Sequence, residues 1–311
     1  MKSNHEIFAD KPLRLATRQS KLALIQTQIV ASQLGDIAHD ICPVSTSGDE
    51  VLDRPLVEIG GKGVFIKALE AELLKGSADA AIHSFKDMET IFADNTAICA
   101  ILPREDRRDA LVGNYDSLEA LPEGAVIGTS SVRRAAILRN HRPDLKIQLL
   151  RGNVQRRLQL LDEGHYDAII LAMAGLKRLG LSERVHPLDE SIMMPSASQG
   201  AIAVQMSTSD ARRADAMRQI FGAMHCEETQ ICTTAERSLL SHLDGSCRTP
   251  IGVMAQLEDD GKVSLSACVL NEDGSQRFDA SGIADRTDVN ALGIEVGDAL
   301  LSQCGGRSFL A

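Results

Sequence analysis

The sequence predicts an α/β protein, with two similar α/β domains and a smaller α+β C-terminal domain. Three observations carry this. From Leu13 onward, short apolar strands alternate with amphipathic helical stretches, and the strand, hydroxyl-rich turn, arginine and helix of the first third return in the second. Aromatic residues make up 3% of the chain and Trp is absent, a balance that suits repeated helix-on-sheet packing better than an aromatic-rich sandwich. At 311 residues the chain also exceeds the size at which a single core stops growing.

The first domain opens on the alternating strand "LRLAT". It continues into "RQSKLALIQTQIVASQL", where Leu22, Ile25 and Ile29 share one helical face behind Ser20 as N-cap. "EIGGKGVFIKALEAELLKG" predicts a glycine-rich basic loop running into a second helix. That loop is not a Walker A cradle, because Gly63 follows Lys62 where Ser or Thr is required. "ADAAIHSFKD" is a short apolar strand with polar residues at its end. After "LPREDRRDALVG" the pattern restarts with "GAVIGTSSVRRAAILRNHRPD". "KIQLLRGNVQRRLQLLDEGHYDAIILAMAGLKRLG" then has the period and length of a βαβ unit. "SQGAIAVQM" predicts a strand returning to the first domain. From about His225 a helix carries Ile231, Ala235, Leu239 and Leu243 on one face, and "KVSLSACVL" and "QRFDASGIA" follow as antiparallel strands. The resulting domains are 1–102 with 200–220, 103–199, and 221–311.

The net charge of −10 argues against a general nucleic-acid binder. Between residues 133 and 157, however, seven arginines and Lys146 face Asp144 as the only acid, which predicts a focused site for an anionic ligand. Arg139, Arg142 and Arg156 read as an ordinary solvated helix face. The N-terminus lacks an apolar signal core, and no run approaches the roughly 18 apolar residues of a membrane span, so the expectation is a cytosolic chain.

Seven cysteines stand at 42, 99, 226, 232, 247, 268 and 304, with no Cys-x-x-Cys pair, which disfavours structural zinc and a disulfide framework. Six fall in strand-like or helical runs and read as inert thiols. Cys247 alone lies in a turn, "DGSCRTP", just past a helix that ends at Asp244 and Gly245 in a left-handed cap. The helix dipole there opposes thiolate formation, so a covalent tether fits better than an activated nucleophile.

Two strand-to-helix turns, "ATRQS" and "GTSSVRR", place hydroxyls, free backbone N–H groups and arginines at helix N-termini, where anions are favoured. "HSFKD" sets His83, Ser84, Lys86 and Asp87 at a strand end, either as solvated polar residues or as a site in which Asp87 stabilises a developing cation. With "RGNVQRRL" and "GSCRTPIG" in the same order, the chain from about Leu13 to its third part closely resembles the porphobilinogen deaminase family.

The resemblance implies two periplasmic-binding-protein-like domains flanking the active cleft and a small domain presenting a cysteine. It implies a dipyrromethane cofactor joined to Cys247 by a thioether, with Asp87 as the catalytic carboxylate. Arg18, Ser20, Ser84, Lys86, Thr129, Ser131, Arg133, Arg134, Arg151, Gly152, Asn153, Arg157, Arg178 and Gln199 would bind the acetate and propionate groups of cofactor and substrate. The implied reaction joins four porphobilinogen molecules with loss of ammonia and then hydrolyses the product free as a linear tetrapyrrole. The expected partner is porphobilinogen, with no nucleic acid, membrane or metal, acting on a cytoplasmic monomer. The chain departs from the family pattern at Met88-Glu89-Thr90, Ser198, Gln205 and Ser246. Two other classes stay open on the residues alone: a solute-binding module, and a Cys-His hydrolase pairing Cys247 with His242 or His225.

Overall fold

A computed structural model describes residues 11–45, 63–244 and 249–310. The chain divides into two compact units, residues 1–105 with 201–229 and residues 106–200 with 230–311.

In the first unit, β1 (Leu13–Arg18), β2 (His39–Val44), β3 (Ala80–Ser84), β4 (Thr96–Ile101) and β10 (Ile202–Ser207) form one sheet in the order β2-β1-β3-β10-β4. The first three strands run parallel, and β10 is antiparallel to both its neighbours. Strand alternation sorts the side chains into two cores. Leu13, Leu15, Ala80 and Ile82 pack with Val30 of α1 (Lys21–Ala31) and with Met217 and Phe221 of α6 (Ala211–Gly222). Ala16 and Ala81 point the other way, onto Leu69 and Leu73 of α2 (Gly63–Leu74). Helices therefore cover both faces, as a sheet with a parallel core requires. The strand expected to return to this sheet does so as β10.

The second unit repeats the arrangement. β5 (Asp109–Gly113), β6 (Val126–Thr129), β7 (Lys146–Leu149), β8 (Ala168–Ala172) and β9 (Val185–Pro187) are ordered β7-β6-β8-β5-β9, with β5 as the antiparallel strand. Ile127, Ala168 and Ile170 pack under Ile137 and Leu138 of α3 (Val132–His141). Ile169 and Leu171 pack on Leu161 of α4 (Val154–Asp162) and Leu176 of α5 (Met173–Arg178). The exchange of strands is reciprocal: β5 enters this sheet straight from the first unit, and β10 leaves for the first sheet after it.

The C-terminal part is an antiparallel meander of β11 (Ile251–Leu257), β12 (Lys262–Leu270) and β13 (Arg277–Asp285). One of its faces is covered by α7 (Glu227–His242) and α8 (Val289–Cys304), with Val253, Leu265, Leu239 and Val296 in the shared core. It belongs to the second unit, and its 271–276 turn meets α3 closely. Arg139 Nη1 donates to Glu272 O at 2.8 Å and Asn140 Nδ2 to Gly274 O at 2.9 Å. Arg139 therefore clamps this turn instead of lying on a solvated face. Arg142 is likewise tied down, to Asp144 at 2.7 Å and to Leu118 O at 2.5 Å, while Arg156 is exposed as expected.

Candidate active site

In the first sheet the candidate residues gather where the parallel strands end. Arg18 is the last residue of β1, and Ser20 caps α1, its Oγ accepting from Ala23 N at 3.3 Å. Ala16 pairs with Ala81, and continuing that register brings Arg18 alongside His83 in β3. Ser84 ends β3 and exchanges hydrogen bonds with Gln26 of α1 at 2.9 and 3.0 Å. Lys86 and Asp87 follow on a single 3-10 turn, Phe85–Asp87, both half-buried. The turn is fixed from both sides: Phe85 N donates to Ala201 O at 3.0 Å, and Phe85 and Met88 are buried together with Ile66. Met88 thus serves as an apolar anchor for the Asp87 turn.

His83 points into the body of this unit. Burial pushes its imidazole down to about 4, against the upward pull of Gln205 and the Asp87 carboxylate, with Arg18 adding to the fall. It is therefore neutral near pH 7 and lies within electrostatic reach of both Asp87 and Arg18.

In the second sheet the corresponding edge carries two such turns, after β6 and after β7. Thr129 ends β6, and its Oγ1 accepts from Ser131 N at 3.2 Å. Ser131 caps α3, accepting from Arg134 N at 3.5 Å. Between β7 and α4 stand Arg151, Gly152 and Asn153. Gly152 has φ of +104°, which disfavours any side chain there. Asn153 caps α4 by accepting from Arg156 N at 2.9 Å, and Arg157 Nε donates to Gly152 O at 2.8 Å. Arg178, in the last turn of α5, donates to Gly200 O at 2.6 Å.

Arg133 and Arg134 are placed more deeply than an arginine-rich helix start suggests, at 4% and 6% exposure. Both turn onto Asp109, the fully buried first residue of β5. Arg133 Nη2 donates to Oδ2 and Arg134 Nη2 to Oδ1, each at 2.7 Å. Gln199 adds its Nε2 to Oδ1 at 2.8 Å and to Arg107 O at 2.7 Å. Burial pushes the Arg133 guanidinium down from its ordinary value and Asp109 opposes the fall. Asp109 is the member of this cluster that sequence reading misses. Its one signal is an acid opening the apolar strand "DALVG".

Cys247, Arg248 and Lys62 lie outside the described residues. Upstream of Cys247, α7 ends at His242 and Asp244 takes a left-handed φ of 51°. The two histidines considered as partners for Cys247 are engaged elsewhere: His242 Nε2 meets Asp298 Oδ1 at 2.7 Å, and His225 Nδ1 accepts from Ile101 N at 3.0 Å. Among the described residues no group of three or more His, Cys, Asp or Glu side chains could hold a metal ion, and no helix is long and apolar enough to cross a membrane.

Solved structures similar to this chain include several solute-binding proteins. An ancestral cationic amino-acid solute-binding protein is 12% identical over 72% of this chain and 93% of its own, with a TM-score of 0.43. An amino-acid substrate-binding protein from Streptococcus pneumoniae bound to L-arginine is 17% identical over 71% and 92%, at 0.39. A periplasmic binding protein from Brucella ovis with glutathione bound is 15% identical over 78% and 72%, at 0.42. Family comparison is far more specific. The description "Porphobilinogen deaminase, dipyromethane cofactor binding domain" matches residues 13–215, and "Porphobilinogen deaminase, C-terminal domain" matches residues 230–302. Those two matches take in both sheet edges and the cysteine turn, and the chain belongs to the porphobilinogen deaminase family.

Proposed function

We propose that the chain works as a hydroxymethylbilane synthase, with Asp87 as its catalytic carboxylate and Cys247 as the attachment point of its cofactor. Family membership gives the reaction, deamination and condensation of porphobilinogen in porphyrin biosynthesis, and the dipyrromethane cofactor. The observation that carries the residue roles is the collection of cations, hydroxyls and one carboxylate at the C-terminal edges of the parallel strands, where helix N-termini add backbone N–H groups.

The residue types present suit the cofactor. Its acetate and propionate groups call for planar cations and for O–H and N–H donors, and Arg18, Ser20, Ser84 and Lys86 are such groups in the first unit. Thr129, Ser131, Arg133, Arg134, Arg151, Gly152, Asn153, Arg157, Arg178 and Gln199 are groups of the same kinds in the second. Three of the described thiols suit a tether poorly: burial pushes Cys99 up to about 12 and raises Cys42 and Cys268 as well. When bound, the cofactor supplies the nucleophilic pyrrole carbon and the covalent anchor.

Asp87 acts on the substrate. Loss of ammonia from porphobilinogen puts positive charge on its pyrrole nitrogen, and the Asp87 carboxylate accepts that N–H and offsets the charge as it develops. Lys86 and Arg18 hold substrate carboxylates beside it. The half-burial of the turn limits water around the charge without closing the site to a ligand.

Intact mass of the purified protein tests this directly. The wild type should exceed its sequence mass by two pyrrole units, and Cys247→Ser should lack the excess. A full adduct on Cys247→Ser, or an active wild type with no adduct, contradicts the assignment.

A further inference from the structure

We propose that Asp109 is a positioning residue for this reaction, a buried counter-ion that holds Arg133 and Arg134 side by side as one preset receptor for a ligand carboxylate. The inference rests on reading those arginines as carboxylate binders. Successive residues on a helix point about 100° apart and do not face each other. Convergence of Arg133 and Arg134 is therefore not a property of α3; it is imposed by a carboxylate that gives one oxygen to each.

The other ends of both guanidiniums are fixed as well, Arg133 Nη1 on Met194 O and Arg134 Nη1 on Ile170 O at 3.0 Å. The Nε–H of each has no partner among the described residues. Asp109 itself sits at the functional edge because β5 runs antiparallel, so that its first residue pairs with Ala172, the last of β8. A parallel strand in that place would start at the opposite edge.

The charges lead to the same role. Two guanidiniums and one carboxylate leave the cluster with one excess positive charge in a site that water barely reaches. Neutralising both arginines would have left no attraction for an anion, and neutralising neither would have driven them apart. One carboxylate shared by two arginines orders them and keeps one charge for a ligand.

The experiment compares Asp109→Asn, Arg134→Met and the double variant. It measures the fraction of protein carrying the two-pyrrole mass, KM and kcat for porphobilinogen of the loaded fraction, and thermal unfolding. Asp109→Asn should raise KM about tenfold or more and lower loading, with kcat changed far less, because the defect lies in holding carboxylates. Asp109→Asn leaves two buried cations without their shared counter-ion and can fail to fold. The double variant restores the wild-type excess of one positive charge and should fold. If Asp109 only balances charge, the double variant recovers loading and KM, which overturns the proposal.

If Asp109 positions the pair, the double variant remains as impaired as Arg134→Met alone, since the effects run through one unit. Effects that multiply overturn it, as does a folded Asp109→Asn with normal loading and KM beside an impaired Arg134→Met. Normal loading and KM in Arg134→Met instead removes the reading of the arginines themselves, and the inference with it.

Discussion

Helix α8 lies against α7 at two glycines, and enlarging one of them tests whether that contact is as close as the structure has it. A Cβ built on Gly293 would stand 2.6 Å from Ser238 Cβ and 2.7 Å from both Ala235 O and Leu239 N. Two of these three atoms are α7 backbone, so no side-chain rotation relieves the overlap. Ordinary contact begins near 3.5 Å, so the helices must part by roughly 0.8 Å in Gly293→Ala. Around the contact, Leu239, Leu243, Leu292 and Val296 share one core, and a gap of that width forfeits about a quarter to a half of each affected contact. Overpacking of this kind costs about 1–3 kcal/mol, while replacing a mid-helix glycine by alanine returns up to about 1 kcal/mol. The net expectation is destabilisation by about 1–2 kcal/mol, read as a lower midpoint in thermal or denaturant unfolding. Gly222→Ala is the matched control: it ends α6 with nothing within 4 Å of the new Cβ, and should be neutral or slightly stabilising. Gly293→Ala unfolding at or above the wild-type midpoint would refute the close crossing of α7 and α8.

Two further outcomes follow from the first unit. Asp87→Asn keeps size and a hydrogen-bonding oxygen but removes the charge, and turnover should fall by about a hundredfold or more; near-normal turnover in a fully loaded variant moves the catalytic role elsewhere. His83 is held near 4 in the fold against 6.5 unfolded, so the unfolded chain binds the extra proton between those values. The stabilising contribution of neutral His83 is complete above about pH 6.5 and is lost as pH falls toward 4, by roughly 3 kcal/mol in total. A urea midpoint series over that range should show the loss in the wild type and a flatter profile in His83→Gln; equal slopes would mean that His83 is not the group titrating.

The alternation of strands and helices was legible because it is local. Leu22, Ile25 and Ile29 recur at helical spacing and mark the helix, although the face it buries carries Gln26, Thr27, Val30 and Ala31; Ser20 and Ser131 cap the helices that follow them, and the second half of the 198–206 run becomes β10. What depends on partners far along the chain was not. Arg139 looks like a solvated residue until the 271–276 turn, more than 130 positions later, closes on it. Helix α8 escaped notice because Gly293 and Gly297 lower its propensity, although both are there to admit α7, with Gly297 facing His242. Asp109 was invisible for a related reason. An acid at a strand start is ordinarily a solvated terminus, and only the antiparallel entry of β5 brings it beneath two arginines.

The helix caps at these sheet edges raise a question of competing duties, because a side chain committed to closing a helix would seem lost to ligand binding. The hydrogen bonds resolve it. Ser20 and Ser131 cap by accepting a backbone N–H, which uses a lone pair and leaves the hydroxyl proton to donate. Asn153 caps through its carbonyl oxygen and keeps its NH₂ group. In each case the helix takes the acceptor and leaves a donor, and a donor is what a carboxylate needs. The first-turn backbone N–H groups without intrahelical partners point the same way, and the positive end of the helix dipole strengthens them. Capping and anion binding thus draw on opposite halves of one side chain. On the proposed reading of these residues, a chain with a net charge of −10 would hold polyanionic pyrroles because the donors and cations are concentrated at strand ends, where the fold itself calls for such residues.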